Sequence, residues 1–183
     1  MLRKFGIIAV LSLLVTAFAA VPALAQNPHF GQGPRAATFT DLNGQLQVTG
    51  TIVGLGQEPL IVTVTADATA DTFCFNPSDP DQTHPVPGQT LTGVEVTGGT
   101  GEVTPDRQGN FIILPGALVT DEPTVTAEQA GCPSDKWTAT VGDVTFSNVQ
   151  VFVEQPIDDD PTTLGDIIAT FPSTVPEGPP ATT

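Results

Sequence analysis

The sequence predicts an all-β protein: an immunoglobulin-like, antiparallel β-sandwich of about seven or eight strands with a disordered C-terminal tail. Apolar residues alternate with polar ones in several short runs, which is the period of a strand with one buried face. Turn-forming residues, drawn from 18 glycines and 18 prolines, separate these runs. The spacing is irregular and contains no internal repeat, so we expect one sandwich domain, at residues 37–154.

Residues 1–25 have the three parts of a secretory signal peptide. A basic start, Arg3-Lys4, precedes a long apolar run, and Ala23-Leu24-Ala25 supplies the small residues of a cleavage site. An uncleaved membrane anchor is the alternative, but the run is marginal for the roughly 18 apolar residues that a span requires. We therefore expect a secreted, extracellular protein with no stable membrane insertion after cleavage of the signal.

The domain is expected to begin with a β-hairpin. Residues 26–36 are polar and rich in turn formers, which predicts a flexible lead-in. Beyond it, Leu46, Val48 and Ile52 alternate with polar residues, as in a half-buried strand. Asn43-Gly44 comes just before them and suits the positive φ angles of a type I′ turn, so this pair predicts the hairpin connection.

The longest alternating run covers residues 60–75 and predicts a long strand. If the strand continues without a bulge, Cys74 falls on the same, inward face as Val64. Phe73 and Phe75 then point the other way. Two outward aromatic rings indicate either a bulge or a second packed surface.

Two shorter strands are predicted in the middle of the chain. The first covers residues 91–97 and ends at Gly98-Gly99, because glycine weakens a strand interior. The second covers residues 111–114 and is entered from a turn at residues 106–110. One short helical turn is expected at residues 126–130.

The final part of the domain alternates again over residues 137–141. Gly142-Asp143 predicts a two-residue hairpin turn, and residues 144–153 continue the strand pattern beyond it. The inward-facing positions change parity within that last run. We therefore expect a bulge at Ser147-Asn148.

Residues 155–183 form an acidic, Pro-rich tail with Asp158-Asp159-Asp160 near its start. This composition cannot bury enough apolar surface to order itself, so the tail is predicted to be disordered. Residues 164–171 are the exception, because their apolar side chains let them dock as an edge segment.

Charge narrows the classes of partner. The full chain has a net charge of −15. Signal cleavage removes two of its 5 basic residues and none of its 20 acidic ones, leaving −17. Binding to nucleic acid or to anionic membrane surfaces needs Lys and Arg, so we expect neither. The charge is compatible with cationic partners or divalent metal, and it favours solubility in any case.

Cys74 and Cys132 are the two cysteines of the chain. In an oxidising compartment an even pair predicts a disulfide bond. Closing so long a loop would stabilise the fold by roughly 4 kcal/mol in the chain-entropy model. The alternatives are two free thiols or a metal pair, but two cysteines without a nearby histidine make a poor zinc site.

The candidate metal ligands lie in a Pro- and Asp-rich loop at residues 76–88. Asp79, Asp81 and His84 could converge on a hard cation such as calcium, although a solvated loop with Asp-Pro and His-Pro turns needs the same residues. No other cofactor is expected. A hydrolase triad needs a base beside its nucleophile, and the only other histidine, His29, lies in the lead-in. We therefore expect no enzyme activity.

Four short motifs resemble those of a known but loose group of proteins. These are Cys74-Phe75-Asn76, Ala130-Gly131-Cys132-Pro133, Trp137-Thr138-Ala139 and Asp143-Val144-Thr145-Phe146. The chain resembles, over residues 39–154, short secreted bacterial proteins that are uncharacterised and share this order. The resemblance implies the β fold and the disulfide, and it implies no substrate.

Three functions are considered from these observations. The first is a non-catalytic module that binds an unknown extracellular partner or associates with a surface, because no catalytic motif is present. The alternative is a metal- or carbohydrate-binding domain that uses the loop at residues 76–88. A secreted hydrolase with paired carboxylates has the least support, since acids are plentiful but nothing selects a pair.

Overall fold

The computed structural model of the chain describes residues 27–79, 83–155 and 166–173. The predicted signal peptide lies outside them, as do Asp81 and most of the predicted tail. Within the described residues the chain forms nine strands: β1 (His29–Phe30), β2 (Thr38–Asp41), β3 (Leu46–Val53), β4 (Leu60–Phe75), β5 (Val86–Pro87), β6 (Leu91–Val103), β7 (Phe111–Ile113), β8 (Thr138–Gln155) and β9 (Asp166–Ser173).

The strands form two antiparallel sheets that pack face to face, which confirms the predicted all-β sandwich. In the smaller sheet, β3 pairs with β1, β2 and β7. In the larger sheet, β4 pairs with β5 and β6 and, along most of its length, with β8. β9 pairs with β8. The larger sheet is therefore built around two unusually long neighbouring strands.

The β2–β3 hairpin forms where the Asn-Gly pair predicted it. Asn43 has a φ angle of 60° and Gly44 one of 107°, so both turn residues lie in the left-handed region. The N–H of Leu42 donates to the carbonyl oxygen of Gln45 at 2.8 Å. The N–H of Gly44 also donates to Oδ1 of Asp41 at 3.1 Å, which fixes the turn from the side chain.

Alternation along β4 separates an inner face from an outer face. Every second residue from position 62 to position 74 is buried, and the core cluster joins those at positions 62 to 70 to side chains of the smaller sheet. Alanines at positions 66, 68 and 70 are almost fully buried. The largest fully buried side chains include Leu46, Ile52, Leu60, Ile113 and Leu118. The side chains at the odd-numbered positions from 63 to 75 consequently lie on the outer face of β4.

A strap at residues 118–121 connects the two sheets along one side. On the smaller sheet, the N–H of Val48 donates to the carbonyl oxygen of Leu118 at 2.9 Å. On the larger sheet, the N–H of Asp121 donates to the carbonyl oxygen of Thr97 at 3.0 Å. Gly98 permits this contact, because a Cβ there would collide with the carbonyl oxygen of Val119. The strap thereby covers an edge of the sandwich.

Two predicted strand ends are wrong for the same physical reason. β6 continues through Gly98-Gly99 to residue 103, and β8 continues through Gly142-Asp143. At Gly142 a Cβ would lie 2.5 Å from Cε2 of Phe73, so this glycine makes room for an aromatic ring. Gly98 and Gly142 therefore allow close packing within a strand and do not form a turn.

The predicted bulge in β8 is confirmed. The register of β8 against β4 shifts between Gln150 and Ser147, and Asn148 has a φ angle of 50°. The side-chain amide of Asn148 donates to Oδ2 of Asp67 at 2.7 Å. This bond holds the bulge against the neighbouring strand and returns Val149 to the buried face.

Short regular elements also lie at the two ends of the domain. The lead-in, predicted to be flexible, includes β1 and a 3-10 turn at Gly33–Arg35. The backbone of the lead-in passes close to Gly54, where a Cβ would collide with the carbonyl oxygen of Asn27. The edge segment predicted at residues 164–171 corresponds to β9. The single helical turn predicted at residues 126–130 is confirmed by the N–H of Ala130 donating to the carbonyl oxygen of Thr126 at 3.0 Å.

Cys74 and Cys132 form a disulfide bond, as predicted. It fastens the buried end of β4 to the loop that follows the helical turn. In the described part of the chain, no helix reaches the length and apolarity that crossing a membrane requires.

Candidate functional site

Asp79 and His84, two of the three predicted metal ligands, lie close together. Oδ2 of Asp79 accepts hydrogen bonds from the backbone N–H groups of Thr83 and His84, each at 3.1 Å. The same oxygen lies 3.4 Å from Nδ1 of His84, whose side chain is 88% exposed. The Asp79 carboxylate therefore caps the backbone of its own loop. Asp81, the third predicted ligand, lies outside the described residues.

The environment of Asp79 keeps its carboxylate ionised. Loss of contact with water acts to raise the pKa of Asp79, but hydrogen bonds from His84 and Thr83 outweigh it, so the pKa lies below its ordinary value. An ionised carboxylate suits a metal ligand as well as a loop cap. Among the described residues, no group of three His, Cys, Asp or Glu side chains is arranged to hold an ion. The metal site stays a prediction.

A second feature, which the sequence did not single out, is an open groove of about 670 Å³ on the outer face of the larger sheet. We call it the outer groove. Its lining residues come from β4, β6, β8 and the strap, and they are Thr63, Thr65, Thr97, Gly98, Gly99, Val119, Asp121, Phe152 and Glu154.

Strand register brings these residues together. Thr63 and Thr65 face outward because their even-numbered neighbours on β4 are buried. Thr63 lies between Gly99 of β6 and Phe152 of β8. Thr65 pairs with Thr97 of β6. The floor of the groove thus carries the side chains of Thr63, Thr65 and Thr97, with the ring of Phe152 beside them.

The groove extends over β6 and β4 beside Phe152 because position 99 has no side chain and the side chain of Thr63 is short. Among the described residues, a Cβ on Gly99 would have just two neighbours within 4 Å, the carbonyl oxygen of Val62 at 3.7 Å and Oγ1 of Thr63 at 3.9 Å. Gly99 also lacks the positive φ angle that would require glycine. A larger residue there would therefore fill the groove without disturbing the strand.

Two carboxylates stand at opposite corners of the groove. Asp121 lies beyond β6, to which its backbone is hydrogen bonded, whereas Glu154 lies on β8. With β6 and β4 between them, their backbones are three strand spacings apart, about 14 Å. Within the described residues, neither carboxylate and none of the groove's three threonine hydroxyls takes part in a hydrogen bond or ion pair to a neighbouring side chain.

One sequence signal could have revealed the groove. Phe152 occupies an outward position between the buried residues Val151 and Val153, where the strand pattern predicts a polar side chain. The remaining lining depends on the pairing of three strands that are far apart in the sequence. The prediction that the strand ends at Gly98-Gly99 is wrong, because β6 continues there and contributes Thr97, Gly98 and Gly99 to the groove.

Comparisons with known proteins supply no template for either feature. Neither the family models, the curated proteins nor the solved structures contain a match to this chain. The resemblance to short secreted bacterial proteins therefore stays a prediction, and function must be argued from the residues of this chain alone.

Proposed function

We propose that this protein is a non-catalytic binding module that acts outside the cytoplasm and holds its ligand in the outer groove. The observation that carries the proposal is the groove itself, in which hydroxyls and carboxylates without a side-chain partner among the described residues lie around one aromatic ring. Its volume of about 670 Å³ falls within the range of roughly 300–1,000 Å³ that is typical of ligand sites. The polar groups are therefore available to a ligand without breaking any contact within the described fold.

The extracellular part of the proposal rests on two features of the chain. Residues 1–25 have the pattern of a secretory signal. The Cys74–Cys132 bond is of a kind that forms and persists mainly in oxidising compartments. In the cytoplasm, such a bond would be reduced to two free thiols.

The chemistry of the groove favours binding over catalysis. Its described lining contains no histidine, serine, cysteine or lysine that could act as a base or nucleophile. A paired-carboxylate glycosidase needs its two carboxyl groups roughly 5–10 Å apart. The backbones of Asp121 and Glu154 are about 14 Å apart across the strands alone, and the two residues lie at diagonally opposite corners.

The proposal is tested with a panel of purified extracellular materials: neutral polysaccharides, acidic polysaccharides, basic proteins and acidic proteins. We expect the mature protein to be retained by one class without chemical change to it. Gly99→Leu, which fills the groove, should abolish retention, whereas Thr92→Leu should not, because Thr92 is an exposed position of β6 outside the groove. Retention that Gly99→Leu leaves unchanged, turnover of the bound material, or no retention by any class would contradict the proposal.

A second candidate is a metal-dependent site in the loop at residues 76–88. The 3.4 Å approach of Asp79 Oδ2 to His84 Nδ1 favours it. If calcium or another divalent ion binds there, it should raise the Tm of the wild-type protein by ligand linkage and leave the Tm of Asp79→Ala unchanged. If Asp79 only caps the loop, the variant should lower the Tm equally in EDTA and in calcium.

A further inference from the structure

We infer that the ligand of the outer groove is a neutral oligosaccharide or polysaccharide, bound by stacking of a sugar ring on Phe152. This inference rests on the proposed binding function and adds the chemical class of the ligand. A sugar ring presents an apolar face of C–H groups and a rim of hydroxyls. The groove presents one aromatic ring and a surrounding set of hydroxyl and carboxylate groups.

Phe152 supplies the apolar contact. It lies on β8, next to Thr63 of β4 and two strands away from Gly99 of β6. Thr63 is short and Gly99 has no side chain, so neither residue covers the ring of Phe152 from that side. Phe152 points away from the hydrophobic core, on a strand whose other outward residues are polar, so its ring does not contribute to core packing. Its partly exposed ring is therefore free to bury apolar ligand surface, which is the main contribution that an aromatic side chain makes to binding.

The threonines supply the polar contacts. Thr63, Thr65 and Thr97 each offer one donor and two acceptor lone pairs, and these groups have no side-chain partner among the described residues. A polyhydroxylated ligand can both donate to and accept from such groups. The three threonines lie on the outer face of the paired strands β4 and β6, so a ligand that lies across these strands can contact all of them.

The carboxylates select against charged sugars. Asp121 and Glu154 accept hydrogen bonds from hydroxyl groups and repel the carboxylates or sulfates of acidic polysaccharides, and the net charge of the chain has the same sign. They do not form a cation site, because their backbones are about 14 Å apart across the strands. A single cation could meet only one of them. The separation of Asp121 and Glu154 is instead long enough for several linked sugar units to lie between them.

The experiment measures retention of the mature protein on cellulose, β-1,3-glucan, starch and chitin, with alginate and polylysine as charged comparisons. The variants are Phe152→Ala, Phe152→Trp and Gly99→Leu. Phe75→Ala and Thr92→Leu are the matched controls, because they make similar changes on β4 and β6 outside the groove. Circular dichroism and Tm confirm that each variant folds, and Phe152→Trp keeps the test valid if the alanine variant does not.

We expect retention on a neutral glycan that added salt does not weaken. Phe152→Ala should weaken it about tenfold or more, Gly99→Leu should abolish it, and Phe152→Trp and both controls should preserve it. Groove-dependent retention on polylysine alone, lost as salt rises, would overturn the glycan inference and leave the binding function intact. Groove-dependent retention on alginate alone would do the same. Retention on none of the materials, or retention indifferent to Gly99→Leu, would overturn both.

Discussion

Thr120 shows how one buried hydroxyl joins the strap to the smaller sheet. Its side chain is 1% exposed, and Oγ1 accepts a hydrogen bond from the N–H of Leu46 at 2.9 Å. The N–H of Thr120 donates in return to the carbonyl oxygen of Leu46 at 3.0 Å. A backbone N–H at the start of β3 thus depends on a side chain 74 positions away.

Thr120→Val removes the acceptor while keeping the shape of the side chain. We expect it to lower the free energy of unfolding by about 1–3 kcal/mol, because the buried N–H of Leu46 loses its partner. Thr120→Ser keeps the hydroxyl and should lose clearly less. Urea unfolding measures both, and equal losses for the two variants would contradict the role assigned to the hydroxyl.

Asp106 closes the turn before β7 with its carboxylate. Oδ1 accepts the N–H groups of Asn110 at 2.8 Å and Gln108 at 2.9 Å, and the side-chain amide of Asn110 donates to both carboxylate oxygens. The hydrogen bonds from Asn110 are the main reason that the pKa of Asp106 lies below its ordinary value of 3.8. Folding therefore favours the ionised form.

The pH dependence follows from that direction. Because the folded pKa is the lower one, the stabilisation by Asp106 is fully present above pH 3.8 and is lost as the pH falls through the folded pKa. The difference in unfolding free energy between wild type and Asp106→Asn should be constant above pH 3.8 and shrink below it. Urea unfolding across this range measures it, and a difference that grows on acidification would refute the assignment.

At the level of elements, β6 has two adjacent glycines with opposite surroundings. Gly98 faces inward, where the strap passes so closely that a Cβ would collide with the carbonyl oxygen of Val119. Gly99 faces outward into the groove, where a Cβ would have only ordinary contacts. One glycine is required by packing and the other leaves a binding surface open.

Alanine at each position should separate these roles. Gly98→Ala should lower the free energy of unfolding by about 1–3 kcal/mol, because the added methyl group overpacks a backbone contact. Gly99→Ala should be neutral or stabilise by up to about 1 kcal/mol, because alanine is less costly than glycine in a strand. Equal effects in a urea titration would show that the strap does not approach β6 as described.

Periodicity was sufficient to predict the strands but not the function of each glycine. Asn43-Gly44 was correctly predicted as a turn, since asparagine beside glycine tolerates positive φ at both positions. Gly98-Gly99 and Gly142-Asp143 were wrongly predicted to end strands. Glycine serves equally in a turn and in a close approach, and only the partner in space, such as the Phe73 ring over Gly142, distinguishes the two.

For the molecule as a whole, the disulfide between Cys74 and Cys132 closes a long loop of the chain. It spans 58 positions, between the end of β4 and the loop before β8. All of β5, β6, β7 and the strap lie within the loop that it closes. Its principal effect is therefore on the unfolded chain, whose freedom it reduces.

Replacing both cysteines by alanine should lower the free energy of unfolding by roughly 4 kcal/mol, as expected for a closed loop of this length. Reduction of the wild-type protein should produce a similar loss. The double variant should be insensitive to the reducing agent, which provides the control. A loss below about 1 kcal/mol in urea unfolding would show that the cross-link adds little to the packing of the two sheets.

The sandwich could be predicted from the sequence, because alternation and turn residues are local properties. The disulfide could be predicted as well, since two cysteines allow one pairing. The outer groove could not, because Thr63, Thr97 and Phe152 meet only through the register of three strands. The loop of Asp79 and His84 was found by composition, but its hydrogen bonds show a use of the carboxylate that composition does not reveal.

The most direct test of the outer groove as a binding surface is a map of backbone amide NMR shifts during titration with a soluble oligosaccharide of the retained glycan. Shift changes should concentrate at positions 63–65, 97–99 and 152–154, and Gly99→Leu should remove them. Changes centred on the loop at residues 76–88 instead, or spread evenly over the molecule, would contradict the assignment of the groove as the binding site.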